Sequence, residues 1–302
     1  MMQVITTVQE MLAARAAWGA AARVGLVPTM GYLHEGHLSL VRQARAENDL
    51  LVASIFVNPT QFGPHEDLAR YPRDLPRDLR LLEDCGVDVV FTPTAAEMYP
   101  ANFVTYVEPG GPLATVAEGA SRPGHFRGVA TVVLKLFQII QPGQAYFGQK
   151  DAQQVAVITR MVTDLNLPVR LVIHPTIREA DGLALSSRNA YLEPETRAAS
   201  TILYRALLAG KRAFEENARD NPADVTRVSA AMGEMLAREA LARLDYAEVR
   251  DPTTFLPLEK LHAPALLLIA ATLGSTRLID NFLLRPDGSW DCGKVQPREE
   301  RV

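Results

Sequence analysis

The sequence predicts an α/β protein in which a domain built on a parallel sheet precedes a smaller α+β C-terminal domain. Three observations carry this. Over the first two thirds, short β-rich runs alternate with stretches of helical periodicity, the order from which parallel sheets are made. Those runs are dominated by apolar residues without strict alternation, as strands covered by helices on both faces require. Near Ile177 the alternation stops, so the boundary is set there, giving domains over residues 1–176 and 177–302. A chain of 302 residues, 48% of them hydrophobic, has enough apolar material for two cores.

In order, the strand candidates are VGLV (24–27), LLVASIFV (50–57), VDVVFT (87–92), AYFG (145–148) and VRLVIH (169–174). Val129, Val132, Val133, Leu136 and Ile140 share one helical face, and Val155, Ile158, Met161, Val162 and Leu165 share another, which makes both stretches crossover helices. Beyond 177, the turn-rich READGLALSSRNAYLEP gives way to a helix with Pro194 in its first turn and Leu203, Ala206, Leu207, Gly210 and Phe214 along one face. AAMGEMLAREALA (230–242) reads as a further helix. LDYAEVR (244–250), PALLLIAATLG (264–274) and TRLIDNFLL (276–284) read as strands joined by turns short enough to be antiparallel. The ending, RPDGSWDCGKVQPREERV (285–302), has little apolar pattern and is expected to be a loose tail.

Composition narrows the function classes. No apolar run approaches the roughly 20 residues of a membrane span. The start, MMQVITTVQE, lacks the basic-then-apolar build of a signal peptide, so a cytoplasmic protein without a membrane partner is expected. A net charge of -4, a pI near 5.9 and no Lys/Arg block argue against a nucleic-acid partner and for small molecules. Cys85 and Cys292 stand far apart, with no further ligand at metal spacing, so neither a disulfide framework nor a zinc site is indicated; Cys85 reads as core or helix-end filler.

Open parallel sheets bind ligands beyond the carboxyl ends of their strands. VGLV is followed by PTMGYLHEGH, SIFV by NPTQF, AYFG by QKDAQQ and VIHPT by IREADGLALSSRN, all bearing glycine, amide, hydroxyl, lysine or imidazole groups that suit a polar anion. His34 and His37 lie three residues apart with Gly36 between them, whereas a metalloprotease helix spaces its histidines by four, and no third ligand is evident. A Gly-x-Ser-x-Gly elbow is also missing. What remains is a strand, a glycine turn and a helix with His37 in its first turn. Its free N–H groups and dipole suit an anion, two imidazoles add donors, and Gly31 and Gly36 permit close approach.

Lys150 suits a phosphate and Asp151 ribose hydroxyls, the plainer reading being a surface ion pair. Ser186, Ser187 and Arg188 follow Gly182 in a flexible-looking loop and suit a polyphosphate, the plainer reading being an ST turn. Asn58, Gln61, Gln153 and Gln154 suit a hydroxyl-bearing substrate; only one of the adjacent Gln153 and Gln154 can face a site, and periodicity leaves that choice open. His174 reads as a satisfied core histidine. The segment GPHEDLARYPRD (63–74), charged and bounded by proline, reads as a mobile cover.

PTMGYLHEGH, FVNPTQF, GQKDAQQ and READGLALSSRN stand in the order found in pantothenate synthetases (pantoate–β-alanine ligases), and the chain resembles that family from its N-terminus to about Leu284. More distantly, HEGH with LSSR resembles the nucleotidyltransferase superfamily that includes class I aminoacyl-tRNA synthetases. The resemblance implies a Rossmann-type first domain, a smaller lid-like C-terminal domain and a cytosolic homodimer. It further implies a reaction in which ATP, (R)-pantoate and β-alanine yield AMP, pyrophosphate and pantothenate through a pantoyl adenylate, with Mg²⁺ bound through the ATP phosphates and no protein metal ligands assigned.

Carried over motif by motif, the resemblance places ATP on Met30, Gly31, Tyr32, Leu33, His34, Glu35, Gly36 and His37, on Gly148, Gln149, Lys150 and Asp151, on Ile177, and on Leu185, Ser186, Ser187 and Arg188. It selects Gln154 for pantoate, gives Gln61 to pantoate and β-alanine, and leaves Asn58 in support. His37 matches the family's proton donor, with His34, Lys150 and Arg188 as further catalytic groups. Tyr32 and Leu185 stand where smaller or methionine side chains are expected, and Arg122 in SRPGHF resembles one more site residue. Two other classes compete. A nucleotidyltransferase would keep the nucleotide on its product, and a non-enzymatic nucleotide-binding module would release no pyrophosphate. A tRNA ligase lacks support, having neither an anticodon-size domain nor a basic face here.

Overall fold

Five of the apolar runs become parallel strands, and a sixth joins them from a stretch too short to show a period. The computed structural model describes residues 2–19, 21–220 and 224–297. The first part of the chain folds as β1 (Gln3–Ile5), α1 (Val8–Ala17), β2 (Val24–Thr29), α2 (Glu35–Glu47), β3 (Leu50–Ile55), α3 (Leu75–Asp84) and β4 (Val89–Phe91). Three one-turn helices follow, α4 (Ala95–Met98), α5 (Pro112–Thr115) and α6 (Glu118–Ser121), then α7 (His125–Ile140), β5 (Gln144–Gly148), α8 (Ala152–Asp164) and β6 (Arg170–His174). The remainder holds β7 (Ile177–Arg178), α9 (Pro194–Ala199), α10 (Ile202–Asp220), α11 (Thr226–Leu236), β8 (Ala242–Arg250), β9 (Ala265–Leu273), β10 (Thr276–Leu284), β11 (Trp290–Asp291) and β12 (Lys294–Val295).

Two compact units result. One comprises Met1–Thr115, Arg122–Gly148 and Val157–His174; the other comprises Val116–Ser121, Gln149–Ala156 and Pro175–Val302. In the first, the strand order is β1-β4-β3-β2-β5-β6, all parallel. From β2 the chain steps outward through β3 and β4, then returns to the other side of β2 with β5 and β6. Strand order therefore reverses between β2 and β5, and the crevice at their carboxyl ends is where such sheets hold ligands. Val27, Leu51, Ala53, Val90 and Tyr146 of the strands bury Leu40, Val41 and Ala44 of α2 and Leu82 of α3. Cys85 stands at the end of α3. Only Ile5 of the three β1 residues is buried, so pairing with β4, not periodicity, makes it a strand.

The second unit carries an antiparallel sheet in the order β11-β10-β9-β8. Leu203, Ala206, Leu207 and Phe214 of α10, with Val228 and Met232 of α11, join Leu267, Ile269 and Phe282 in one core. Three expectations need correction here. The helix expected to begin at Pro194 is two, because the Ser200 hydroxyl bonds the Arg197 carbonyl (2.7 Å) and ends α9 before α10 begins. The helix expected over 230–242 runs earlier, at Thr226–Leu236, and Ala242 already belongs to β8. The ending is not loose as far as residue 297: β11 pairs with β10, and β12 lies parallel to β7, with Lys294 opposite Ile177. Residues 298–302 of the expected tail lie outside the described residues. Among the described residues no helix is long and apolar enough to cross a membrane.

Candidate active site

In the first unit the chain leaves β2 through a turn that glycine alone fits well. Gly31 holds φ at +82° and Tyr32 at +50°. A Cβ on Gly31 would stand 3.0 Å from Ile55 Cγ2 and 3.1 Å from Asp78 Oδ2. Asp78, buried on α3, accepts the Tyr32 and Leu33 N–H groups at 2.6 and 2.8 Å. Burial pushes its carboxyl up, and those two N–H bonds pull the other way. Arg77 adds a bond to the Leu33 carbonyl (2.9 Å) and lies over the Tyr32 ring. The freedom of Gly31 thus goes to packing the turn against Ile55 and Asp78. Asp78 was not a candidate; its one signal is an acid on the same helical face as buried Leu82.

His34 and His37 together cap α2. His34 Nδ1 accepts the Gly36 N–H (3.2 Å), and His37 Nδ1 accepts the His34 N–H (3.3 Å), a capping box made of imidazoles with ring centroids 4.0 Å apart. The expected cradle of free N–H groups is therefore partly taken by the histidines themselves. A neutral ring that accepts at Nδ1 carries its proton on Nε2, so the cap fixes the tautomer of both. The Glu35 carboxylate pairs with Arg42 of the same helix. His174, half-buried at the end of β6, meets Gln43 Oε1 at 2.7 Å through Nδ1.

Gln61 closes a one-turn 3-10 helix, Pro59–Gln61, capped by Asn58. Its Nε2 donates to Met30 Sδ (3.1 Å), which brings the NPTQF and PTMG motifs together. Asn58 Nδ2 donates to Gln61 Oε1 (3.1 Å) and the Gly128 carbonyl (3.2 Å), while its Oδ1 accepts the Thr60 and Tyr99 hydroxyls at 2.9 Å each. A Cβ on Gly128 would lie 2.4 Å from the Thr60 carbonyl, so glycine lets α7 approach this turn. His125 Nδ1 lies 2.8 Å from the Gln61 carbonyl, and Arg122 grips Glu66 through two bonds of 2.9 and 2.7 Å. Glu66, His125 and Tyr99 also escaped the sequence reading.

In the second unit Gln149, Lys150 and Asp151 form one 3-10 turn, with Lys150 Nζ 3.8 Å from Asp151 Oδ1. Asn281 of β10 donates to the Gln149 carbonyl (3.0 Å) and the Lys150 carbonyl (2.9 Å), and accepts from Gln149 Nε2 (3.3 Å). Gln153 spends its amide on the backbone of α6 and its approach, accepting the Glu118 N–H (3.0 Å) and donating to the Val116 carbonyl (2.9 Å). Gln154 is the half-buried member of the pair.

The loop that reads as flexible is laced to its surroundings. Leu185 N–H bonds the Ile177 carbonyl (2.9 Å) and Glu179 N–H the Leu183 carbonyl (2.8 Å), making a hairpin that holds Ile177 and Leu185 together. Arg178, fully buried, binds both oxygens of Asp280 (2.6 and 2.8 Å), the Gly182 carbonyl (3.1 Å) and the Cys292 carbonyl (2.6 Å). Arg197 meets Glu179 and Asp181 at 2.6 and 2.9 Å. Ser186 makes the ST turn, its Oγ accepting the Arg188 N–H (3.3 Å), and buried Ser187 starts the 3-10 helix Ser187–Tyr191 that also carries Arg188. Arg178, Asp280 and Asn281 were not candidates, since their partners lie about a hundred residues away. Among the described residues no group of three or more His, Cys, Asp or Glu could hold a metal ion.

The family model described as pantoate-beta-alanine ligase matches residues 3–283. Pantothenate synthetase of Roseiflexus castenholzii is 58% identical over 283 residues, covering 94% of this chain and 99% of that protein. Its counterpart from Herpetosiphon aurantiacus is 56% identical, covering 94% and 100%. Among solved structures, pantothenate synthetase from Thermus thermophilus gives a TM-score of 0.87 at 52% identity, covering 94% of this chain and 100% of its own. The pantoate-beta-alanine ligase of Francisella tularensis, complexed with beta-gamma ATP and beta-alanine, gives 0.76 at 34% identity, covering 94% and 98%.

Proposed function

The chain belongs to the pantoate–β-alanine ligase family, enzymes that form a C–N bond, and we propose that it joins (R)-pantoate to β-alanine through a pantoyl adenylate, consuming ATP and releasing pyrophosphate and AMP. The observation that carries this reading is the match over residues 3–283, which takes in all four polar motifs. Two features of the first unit support it: residues 30–37 and Gly148 stand at the carboxyl ends of β2 and β5, where strand order reverses.

In the first step a pantoate carboxylate oxygen attacks the α-phosphorus of ATP, an O–P bond forms, and the bond to pyrophosphate breaks with its electron pair on the leaving oxygen. A carboxylate needs no general base, so alignment and charge neutralisation dominate. His34 and His37, protonated on Nε2, serve as donors to phosphate oxygens, and His37 is assigned the leaving pyrophosphate. Lys150, Ser187 and Arg188 supply further charge and donors, each well-aimed one being worth roughly 3 to 4 kcal/mol. Mg²⁺ arrives as the ion carried by the ATP phosphates. Nucleotide contacts are assigned to residues 30–37, to Gly148, Gln149, Lys150 and Asp151, to Ile177 and to residues 185–188. In the second step the β-alanine amine attacks the pantoyl carbonyl, a C–N bond forms, AMP leaves with the C–O electron pair, and the ammonium proton passes to solvent. Gln61 serves pantoate and β-alanine and Gln154 pantoate, with Asn58 holding Gln61. Residues 1–176 are assigned the chemistry and 177–302 a lid-like role, in a cytoplasmic homodimer.

Pyrophosphate release tests the reading. With ATP, Mg²⁺ and pantoate alone, about one equivalent of pyrophosphate per site is expected, and adding β-alanine should start turnover with AMP as coproduct. No pantoate-dependent pyrophosphate, or a product that retains the nucleotide, would overturn it.

A further inference from the structure

We propose that Asn281 is a positioning residue for Lys150, holding the 3-10 turn so that its ammonium keeps a fixed place. This rests on the assignment of Lys150 to phosphate charge. Asn281 is only 2% exposed, and its amide meets three polar groups of Gln149 and Lys150 within 3.3 Å: two carbonyls to be donated to and one Nε2–H to be accepted. A primary amide on a short stem meets all three demands at once; serine supplies one donor, and aspartate presents charged oxygen to two carbonyls. Two carbonyls bound to one side chain orient the peptide planes around Lys150, and with them its Cα–Cβ direction. The neighbouring residue strengthens the case. Asp280, on the opposite side of the β10 pleat, takes Arg178 in a two-fold grip, and Arg178 in turn binds the Gly182 carbonyl. Consecutive side chains of one strand thus hold two of the motifs assigned to the nucleotide, and Asn281 holds the one with the ammonium.

The experiment is single-turnover pyrophosphate release by the full chain with ATP, Mg²⁺ and pantoate. Asn281→Asp should slow the step about 10- to 100-fold at pH 8 with the pantoate KM within about twofold of the parent, since misplacement by about an ångström costs on that order. Relative to the parent, the loss should shrink as pH falls, because burial favours the neutral carboxyl, which regains one donor. Added to Lys150→Ala, Asn281→Asp should cost less than about twofold more, because both act through one group. A loss that is independent of pH, or undiminished in the Lys150→Ala background, or absent while Lys150→Ala is slow, overturns the role of Asn281. A near-normal rate for Lys150→Ala itself would instead overturn the assignment of Lys150. Should Asn281→Asp fail to fold, Asn281→Ser carries the same cycle, with a loss of about three- to tenfold expected for one lost donor.

Discussion

Gly31 shows how one position links backbone strain to the placement of a motif. Its φ of +82° and the two neighbours within 3.1 Å of an added Cβ mean that Gly31→Ala must both adopt a left-handed conformation and displace Ile55 or Asp78. A loss of about 2 kcal/mol is expected, read as a lower urea midpoint, and an unchanged midpoint would show that the turn gives way. Gln61 makes a different prediction. Its side chain is held by Asn58 and Met30, so Gln61→Ala should raise the pantoate KM about tenfold or more while leaving the ATP KM near normal. The reverse pattern would move it to the nucleotide. The histidine pair was legible from its three-residue spacing beside two glycines, but its use as the cap of α2 was not read, although the partners lie only two and three residues away. Asp78 was not, because its partners lie 45 and 46 residues back in the chain.

Between elements, β5 is pinned to α2 through a phenol. Tyr146 OH donates to Glu47 Oε2 (2.8 Å) and accepts from Asn48 Nδ2 (2.7 Å). Burial first, then the bond to Glu47, pushes Tyr146 up to about 12. A raised folded value favours the protonated form, so this contribution is intact below about pH 10 and is lost as pH rises toward 12. The unfolding free energy from urea titrations should therefore fall more between pH 10 and 12 for the parent than for Tyr146→Phe, by on the order of 2 kcal/mol; parallel curves would remove the linkage. The C-terminal segment yields a second test. Ending the chain at residue 291 removes β12 and the Cys292 carbonyl, leaving Arg178 Nε without that acceptor in a buried site. About 1 to 3 kcal/mol of stability should be lost, and an unchanged midpoint would return this segment to the status of a tail. Neither β1 nor β12 was legible, since two or three residues cannot display a period, whereas the parallel runs and the antiparallel order of β8, β9 and β10 were.

In the molecule as a whole the chain crosses five times between its two units, at 115/116, 121/122, 148/149, 156/157 and 174/175. Residues 63–74 belong to the first unit and are tied to it through Glu66 and Arg122. As a cover they should be cut more slowly by trypsin when ATP and pantoate are present together, and identical cleavage with and without them would remove that role. Local pattern was enough to specify an α/β protein and the strands that carry its polar ends, because periodicity and glycine turns act over a few residues, while the ligase family was legible only through the resemblance of four motifs. Which residues support those motifs was decided by tertiary structure alone. Asp78 under the first turn, Asn281 under Lys150, Arg178 between two strands and the choice of Gln153 for the backbone all depend on groups brought together from distant parts of the chain. A buried polar group takes its partner from whatever the fold places beside it, and that neighbour has no fixed distance along the sequence.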